Sequence, residues 1–330
     1  MPSAFANVCF DDQKVSNLHA IPGWLRSRRA EAIWATRKAA SSPKLQRMVL
    51  DRFRTIRGIR VPAFIYGTAW KEARTTHVTE LALSAGFRGV DTANQRKHYV
   101  EASVGEALRN ELGRSLRSRD EVFLQTKFTY ARGQDDRLPY DARADVAAQV
   151  LESFESSLSH LGTTYIDSYL LHGPSYTSGL SEDDRRVWRA MESLHDSGKV
   201  RLLGVSNVSR EQLELFNEFA RVKPAFVQNR CYARTGWDRQ VRAFARKHDI
   251  GYQGFSLLTA NAKELKSAAV ERIRARLGVS TAELVFSMAL RLGMFPLTGT
   301  SSAEHMQQDL RAFEIELEEH EASALEALAG

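Results

Sequence analysis

Residues 91 to 99, DTANQRKHY, place Asp, Arg, Lys, His and Tyr within nine positions of one turn. The turn follows an apolar, strand-like run, GFRGVD, and precedes a helix-like run, EASVGEALRNEL. Side chains of these types move protons in enzymes, and barrel enzymes hold such groups at the carboxyl ends of their strands. Loops are also polar for ordinary reasons, so the role of this turn depends on the elements around it.

Further candidate residues stand at the ends of other strand-like segments. Taken singly, each has an ordinary explanation: Asp91 caps a turn, Lys127 is solvated, and His172 is a hydrogen-bonded histidine. Their joint placement at successive strand ends favours a shared site. The candidates beyond residues 91 to 99 are Lys127, His172, Ser206, Asn207, Gln228, Phe255 and Ser256.

The elements that must position these residues alternate between strand and helix. Apolar, β-rich runs separated by segments with a 3.6-residue apolar stripe predict one helix after each strand. This rhythm fits an α/β fold, a closed (β/α)8 TIM barrel, better than an open Rossmann sheet, because no GxGxxG turn follows the first strand. The predicted strands are residues 64–70, 89–93, 122–128, 166–172, 200–207, 225–232, 250–258 and 294–300.

The barrel is expected over residues 51 to 330, preceded by a basic, helical N-terminal extension over residues 1 to 50. Within the extension, residues 22 to 40 and 42 to 53 predict two helices that pack on the barrel. Gly, Pro and mixed charges mark residues 129 to 145 as a loop after the third strand.

Composition narrows the class of protein. Residues 1 to 50 hold eight basic and three acidic residues, so they carry five of the six net positive charges. A basic nucleic-acid face on the remainder is therefore not expected. The two cysteines have neither disulfide-framework nor zinc spacing, and no run of eighteen apolar residues occurs. We expect a cytoplasmic protein with no bound metal, no nucleic-acid partner and no membrane contact.

Eight segments in order resemble the signature of the aldo-keto reductase superfamily. They are GIRVPAFIYGTAW, GFRGVDTA with EASVGEAL, VFLQTK, YIDSYLLHGP, GKVRLLGVSN, PAFVQNRCY, GFSLL and GTSSAEHMQQDL, and they cover about residues 58 to 314. The resemblance implies a (β/α)8 barrel that binds a nicotinamide cofactor, usually NADPH, without a Rossmann fingerprint. It also implies an Asp, Tyr, Lys and His tetrad that reduces carbonyl compounds.

The resemblance assigns three of the four catalytic residues by motif, namely Asp91, Lys127 and His172. Hydride addition to a carbonyl creates an alkoxide that must be protonated, and a phenol serves as the acid if its pKa is lowered. Lys127 would lower that pKa and Asp91 would keep the ammonium charged. His172 would hydrogen-bond the substrate oxygen.

The tyrosine is displaced from its usual position. In the pattern DTAxxYxNExxVG, eight positions separate Asp from Glu, whereas Asp91 and Glu101 are ten apart. Counting from the helix puts the acid at His98, and counting from Asp91 puts it at Arg96. Tyr99 is one position from the helix-based slot, and we predict that it is the acid. The alternative is that His98 protonates the substrate while Tyr99 only packs.

The resemblance also implies the residues that contact the cofactor. NADPH-preferring relatives carry Lys at the position of Gly299 and Arg at that of His305, and this sequence has neither cation. NADP(H) is expected as the family default, and NAD(H) is the alternative cofactor. The helix start in GTSSAEHMQQDL suits an anion. The predicted cofactor contacts are Thr68, Ser206, Asn207, Gln228, Phe255, Ser256, Leu258, Gly299, Thr300, Ser301, His305, Gln308 and Asp309.

The substrate is expected to be a small-molecule aldehyde or ketone in a roomy pocket. The predicted pocket residues are Trp70, His98, Phe128 and Tyr130. A second function class stays open, in which the chain is a catalytically weak, cofactor-binding regulatory or partner subunit on the same barrel. We expect a monomer or a weak homodimer.

Overall fold

The computed structural model describes residues 50 to 114 and 118 to 328. All strands of the described chain are short, and eight of the ten belong to one closed barrel. In chain order they are β1 (Phe53–Ile56), β2 (Ile59–Pro62), β3 (Ile65–Gly67), β4 (Gly89–Asp91), β5 (Phe123–Phe128), β6 (Ile166–Leu171), β7 (Val200–Ser206), β8 (Phe226–Arg230), β9 (Gly251–Phe255) and β10 (Phe295–Thr298).

At least one helix follows each barrel strand. The helices are α1 (Thr75–Ala85), α2 (Glu101–Gly113), α3 (Val146–Leu161), α4 (Glu182–Asp196), α5 (Arg210–Phe219), α6 (Arg239–Lys247), α7 (Ala268–Leu277), α8 (Thr281–Arg291), α9 (Ala303–Leu310) and α10 (Glu319–Glu326). Serine side chains begin several of them by accepting a backbone N–H, as Ser181 does before α4 and Ser280 before α8.

The barrel is closed and parallel, in the order β10, β3, β4, β5, β6, β7, β8, β9. It confirms the (β/α)8 prediction, and all eight predicted strands are present. Every residue of β5 and β6 is buried, because one face of each strand meets the barrel interior and the other meets the helices. All carboxyl ends of these strands therefore open on one rim.

Side chains alternate between the two faces of a strand, and this alternation sorts the interior. Phe123, Phe226 and Phe295, near the starts of three strands, pack edge-to-face inside the barrel with ring centroids 5.6–6.1 Å apart. Residues two and four positions later on β5, Gln125 and Lys127, face the same interior nearer the rim. The barrel is thus apolar where its strands begin and polar where they end.

Strands β1 and β2 form an antiparallel hairpin that the sequence analysis did not predict. Its two-residue turn, Arg57 and Gly58, has positive φ angles of 47° and 79°, as two-residue hairpin turns prefer. Ile56 and Val61 pack on the apolar part of the barrel interior. The predicted helix over 42 to 53 is wrong where it can be checked, because residues 50 to 52 are not helical and Phe53 begins β1.

The loop at residues 129 to 145 is confirmed, with one 3-10 turn at Ala131–Gly133. One side-chain hydrogen bond closes the loop on itself, and another joins it to the 91 to 99 turn. Tyr140 Oη donates to the Thr129 carbonyl (2.7 Å), and Gln134 Nε2 donates to the Asn94 carbonyl (2.8 Å). This loop therefore forms a stable edge of the rim.

The predicted extension at residues 1 to 50 lies outside the described residues, except for Leu50. Within the described chain, no helix has the length and apolar character needed to cross a bilayer. The same residues contain no cluster of three or more His, Cys, Asp or Glu side chains that could bind a metal ion.

Candidate active site

Asp91 and Lys127 form a fully buried ion pair at the rim. The Lys127 ammonium lies 2.7 Å from each Asp91 carboxylate oxygen and 2.8 Å from the Thr92 carbonyl. These three acceptors match the three N–H groups of an ammonium, so its direction is fixed. Burial lowers the pKa of Lys127, while Asp91 and Glu101 oppose that shift. Asp91 faces the cavity, and Lys127 lies behind it.

Two glutamines bind the carboxylate of this pair, and a third glutamine links those two. Gln125 and Gln228 both donate to Asp91 Oδ1, at 2.7 and 3.0 Å. Gln253 Oε1 accepts from both of them, and its Nε2 donates to Gln125 Oε1 at 2.9 Å. We call Gln125, Gln228 and Gln253 the glutamine ring. It satisfies buried polar groups that would otherwise cost stability and keeps Asp91 in one position.

Tyr99 lies beside this pair, on the turn before α2. Its ring centroid is 5.2 Å from Lys127 Nζ and 6.0 Å from the His172 ring. Burial, and secondarily Asp91, raise the pKa of Tyr99 above its ordinary value of 10. The predicted lowering of this pKa by Lys127 is not seen in the free protein, where burial sets the direction of the shift and Lys127 is paired with Asp91. The hydroxyl keeps its proton at neutral pH.

His172 follows β6 directly and lies half-buried beside Tyr99. Its Nδ1 lies 2.8 Å from Thr129 Oγ1. Burial first, and then Lys127 and His98, lower the pKa of His172 from 6.5 to about 3. The imidazole is therefore neutral throughout the physiological pH range, and Nε2 is the nitrogen left for a ligand.

A cavity of about 780 Å³ opens above these residues, within the size range of ligand pockets. It brings together most of the predicted site. The predicted residues that line it are Trp70, Asp91, His98, Tyr99, His172, Ser206, Asn207, Gln228, Phe255, Ser256, Leu258, Gly299, Thr300, His305, Gln308 and Asp309.

Five predicted residues do not line this cavity, and one of them is Lys127, which is buried behind Asp91. Phe128 is fully buried in the outer core against Tyr130 and Tyr140, so its predicted place in the substrate pocket is wrong. Thr68 is also buried, and its hydroxyl donates to the Asp91 carbonyl at 3.0 Å. Ser301 and Tyr130 lie off the main cavity as well, although Tyr130 lines a smaller neighbouring one.

Several polar residues that the sequence did not predict also line the cavity, among them Lys71, Gln95 and Arg230. Lys71 Nζ donates to the Gly299 carbonyl, so a cation lies where the sequence of that segment has none. The Arg230 guanidinium lies 5.6 Å from the Phe255 ring centroid. Arg230 could have been found, because it is two positions after Gln228 and so shares its face. The contact between Lys71 and Gly299 could not be predicted from the neighbouring sequence, because the two residues are far apart in the chain.

Three cavity residues have left-handed backbones that only glycine adopts freely. They are Trp70 (φ 61°), Asn207 (φ 54°) and Ser256 (φ 57°), each close after a barrel strand. Such strain persists where the surrounding structure imposes it, and it is concentrated at ligand sites. The Trp70 ring also packs on the His98 ring, with centroids 3.8 Å apart, and the Trp70 backbone N–H donates to the His98 carbonyl.

Asp309, which also lines the cavity, lowers the stability of the folded protein at neutral pH because its carboxylate is buried. Burial raises its pKa from 3.8 to about 6, although Thr298 Oγ1 donates to it. A raised folded-state pKa favours folding below about pH 4, and this contribution is lost as the pH rises through about 6. Asp309→Asn should therefore stabilise the free protein by about 1–3 kcal/mol at pH 8 and by less at pH 5. Urea unfolding at both pH values measures this, and an equal gain at both would contradict it.

A family model described as "Aldo/keto reductase family" matches residues 66 to 329, most of the chain and every barrel strand. The chain belongs to the aldo/keto reductase family. It is thus an oxidoreductase of a family that acts on carbonyl compounds.

Among curated relatives of this aldo/keto reductase, a D-galacturonate reductase of Fragaria ananassa is 30% identical over 301 residues, covering 84% of this chain and 88% of the relative. An NADPH-dependent codeinone reductase of Papaver somniferum is 29% identical, covering 79% and 84%. A solved aldo/keto reductase of Brucella melitensis superposes with a TM-score of 0.70 at 26% identity, covering 84% of this chain and 98% of that one.

Proposed function

We propose that this chain reduces aldehydes or ketones to alcohols with NADPH, and that Tyr99 is the general acid. The observation that carries the proposal is the convergence of Asp91, Tyr99 and His172 at one cavity, with the Lys127 ammonium paired to Asp91 behind it. These residues come from two strands and two strand-end turns, so the barrel is what unites them. When bound, the nicotinamide would supply the hydride.

The donor set at the strand ends fits a nicotinamide cofactor. Gln228 uses its amide N–H groups on Asp91 and Gln253, which leaves Oε1 as an acceptor for a carboxamide. Asn207 and Ser206 line the same part of the cavity, and the Phe255 ring offers an apolar face. At the phosphate end we assign Gly299, Thr300, His305, Gln308 and Asp309.

Lys71 bears on the choice between NADPH and NADH. Its ammonium contacts Gly299 and lines the cavity, so it supplies positive charge that the segment after β10 lacks. We therefore propose NADPH as the preferred cofactor. Dissociation constants for NADPH and NADH, measured by quenching of protein fluorescence, test this choice, and tighter binding of NADH would reverse it.

The protein groups divide the proton transfer between them. Tyr99 holds its proton at neutral pH and would release it to the oxygen that becomes negative during reduction. Lys127, whose charge Asp91 maintains, would stabilise the phenolate that remains. When the Thr129 hydroxyl donates to His172 Nδ1, the ring proton lies on Nε2, where it can donate to the substrate oxygen.

The second candidate is a cofactor-binding subunit with little or no turnover. The observation that favours it is the Lys127 ammonium, whose three N–H groups are all directed at Asp91 and Thr92 rather than at Tyr99. NADPH absorbance in the presence of aldehydes separates the two candidates. A reductase consumes NADPH only when aldehyde is present. In a binding subunit, addition of NADPH would quench the protein fluorescence, but no NADPH would be consumed.

A further inference from the structure

A smaller cavity of about 190 Å³ adjoins the catalytic end of the main one. Its volume is about six times the roughly 30 Å³ of one water molecule in the liquid, enough for a short polar group. We call it the side chamber, and its lining residues are Gln95, Thr129, Tyr130, Arg132, Gly133, His172, Gly173 and Asn207. Gln95, His172 and Asn207 line both cavities, so a carbonyl held at His172 would extend its substituent into the side chamber.

Arg132 gives the side chamber its charge. Arg132 is exposed, and its guanidinium donates to the Pro174 carbonyl and lies 5.7 Å from the Tyr130 ring centroid. No carboxylate among the described residues pairs with it. A guanidinium has five N–H donors in a fixed fork, so several donors stay available for a ligand. The Tyr130 hydroxyl is already committed to Asp184, at 2.8 Å.

The distance between Arg132 and the reaction centre is limited by the chain. The Pro174 carbonyl, which accepts from the guanidinium, is two residues after His172. The Cα atoms of residues two apart lie at most about 7 Å from each other, so the guanidinium is held close to the backbone of His172. The two lysine or arginine side chains that line the main cavity are directed elsewhere. Lys71 contacts Gly299 at the opposite side of the main cavity, and Arg230 lies against Phe255.

We propose that the substrate is a short carbonyl compound bearing a carboxylate, which Arg132 binds in the side chamber while the carbonyl faces His172 and Tyr99. This substrate class rests on the proposed reductase function and narrows it. A carboxylate accepts two parallel N–H bonds from a guanidinium, an arrangement that gives both affinity and direction. The polar side chains of Gln95, Thr129 and Asn207 fit a hydrogen-bonding chain better than a purely apolar one.

The test compares two aldehydes that differ in one charge, 4-oxobutanoate and its methyl ester, with NADPH as reductant. The wild-type protein should show a higher kcat/KM for 4-oxobutanoate. Arg132→Gln should lower that kcat/KM about ten- to hundredfold, mainly through KM, because a charge-assisted hydrogen bond is lost. The same variant should lower kcat/KM for the ester by a much smaller factor. For Arg132→Lys, kcat/KM for 4-oxobutanoate should lie between the values of the wild type and Arg132→Gln, since lysine keeps the charge but cannot form two parallel hydrogen bonds.

Arg137 provides the matched control. It lies on the same loop, is exposed, pairs with Asp135 and lines neither cavity. Arg137→Gln should leave both aldehydes unaffected. Equal use of both aldehydes by the wild-type protein, or an equal loss for both in Arg132→Gln, would overturn the carboxylate assignment and leave the reductase intact. Failure to consume NADPH with either aldehyde and with benzaldehyde would overturn the reductase function itself, and the assignment with it.

Discussion

Tyr99→Phe is expected to lower kcat for aldehyde reduction by a factor of about 100 to 10,000, because it removes a general acid. The phenyl ring keeps the packing beside Lys127 and His172, since those contacts are made by the ring rather than the hydroxyl. Cofactor affinity should therefore stay at the wild-type value. Steady-state kinetics with NADPH and a simple aldehyde measure the first quantity, and fluorescence quenching measures the second.

His98→Gln is the matched variant for this experiment. His98 lines the same cavity on the same turn and stacks on Trp70, and it is the alternative acid in the shifted register. Its loss should reduce kcat far less than the loss of the Tyr99 hydroxyl. Wild-type-like turnover by Tyr99→Phe would remove Tyr99 from the acid's role, and a large loss in His98→Gln would transfer the role to His98.

Asp91→Asn is expected to destabilise the fold by about 3–5 kcal/mol, because it leaves a buried ammonium without its counter-charge. Lys127 is fully buried, so water cannot replace the lost carboxylate. The glutamine ring would also lose the anion toward which Gln125 and Gln228 donate. Urea unfolding followed by tryptophan fluorescence measures the change in the free energy of unfolding.

Asp135→Asn is the control for the buried pair. Asp135 pairs with Arg137 at the surface, where water screens the interaction, and its replacement should have no measurable effect. The double variant Asp91→Asn, Lys127→Met should recover part of the loss, because it removes the stranded charge. A single Asp91→Asn variant as stable as the wild type would show that Lys127 is already neutral in the folded protein.

The barrel was predictable because its signal is repeated. Eight β-rich runs, each followed by a helical stripe, leave few alternative folds, although the six-residue strands β5 and β6 contain three and two polar residues. The β1–β2 hairpin was missed because each strand has only four residues and its Arg57–Gly58 turn differs from the usual Asn-Gly or Asp-Gly.

The site was predictable where strand position determines it, as for Asp91, Lys127, His172 and Gln228. It was not predictable where contacts join distant segments, as between Lys71 and Gly299. Phe128 shows an avoidable error. It follows Lys127 directly, and neighbouring residues of a strand face opposite sides, so an inward Lys127 places Phe128 among the helices.

The glutamine ring has a consequence for how the site responds when charge moves. Each amide around Asp91 already donates to a buried acceptor, so few of these dipoles are free to turn toward the phenolate proposed at Tyr99. Their orientation is set in the folded protein, and we expect it to stay the same during the proposed turnover. Water at an open site would have to rearrange at each cycle, whereas this polar scaffold would give the proposed reaction a small reorganisation energy.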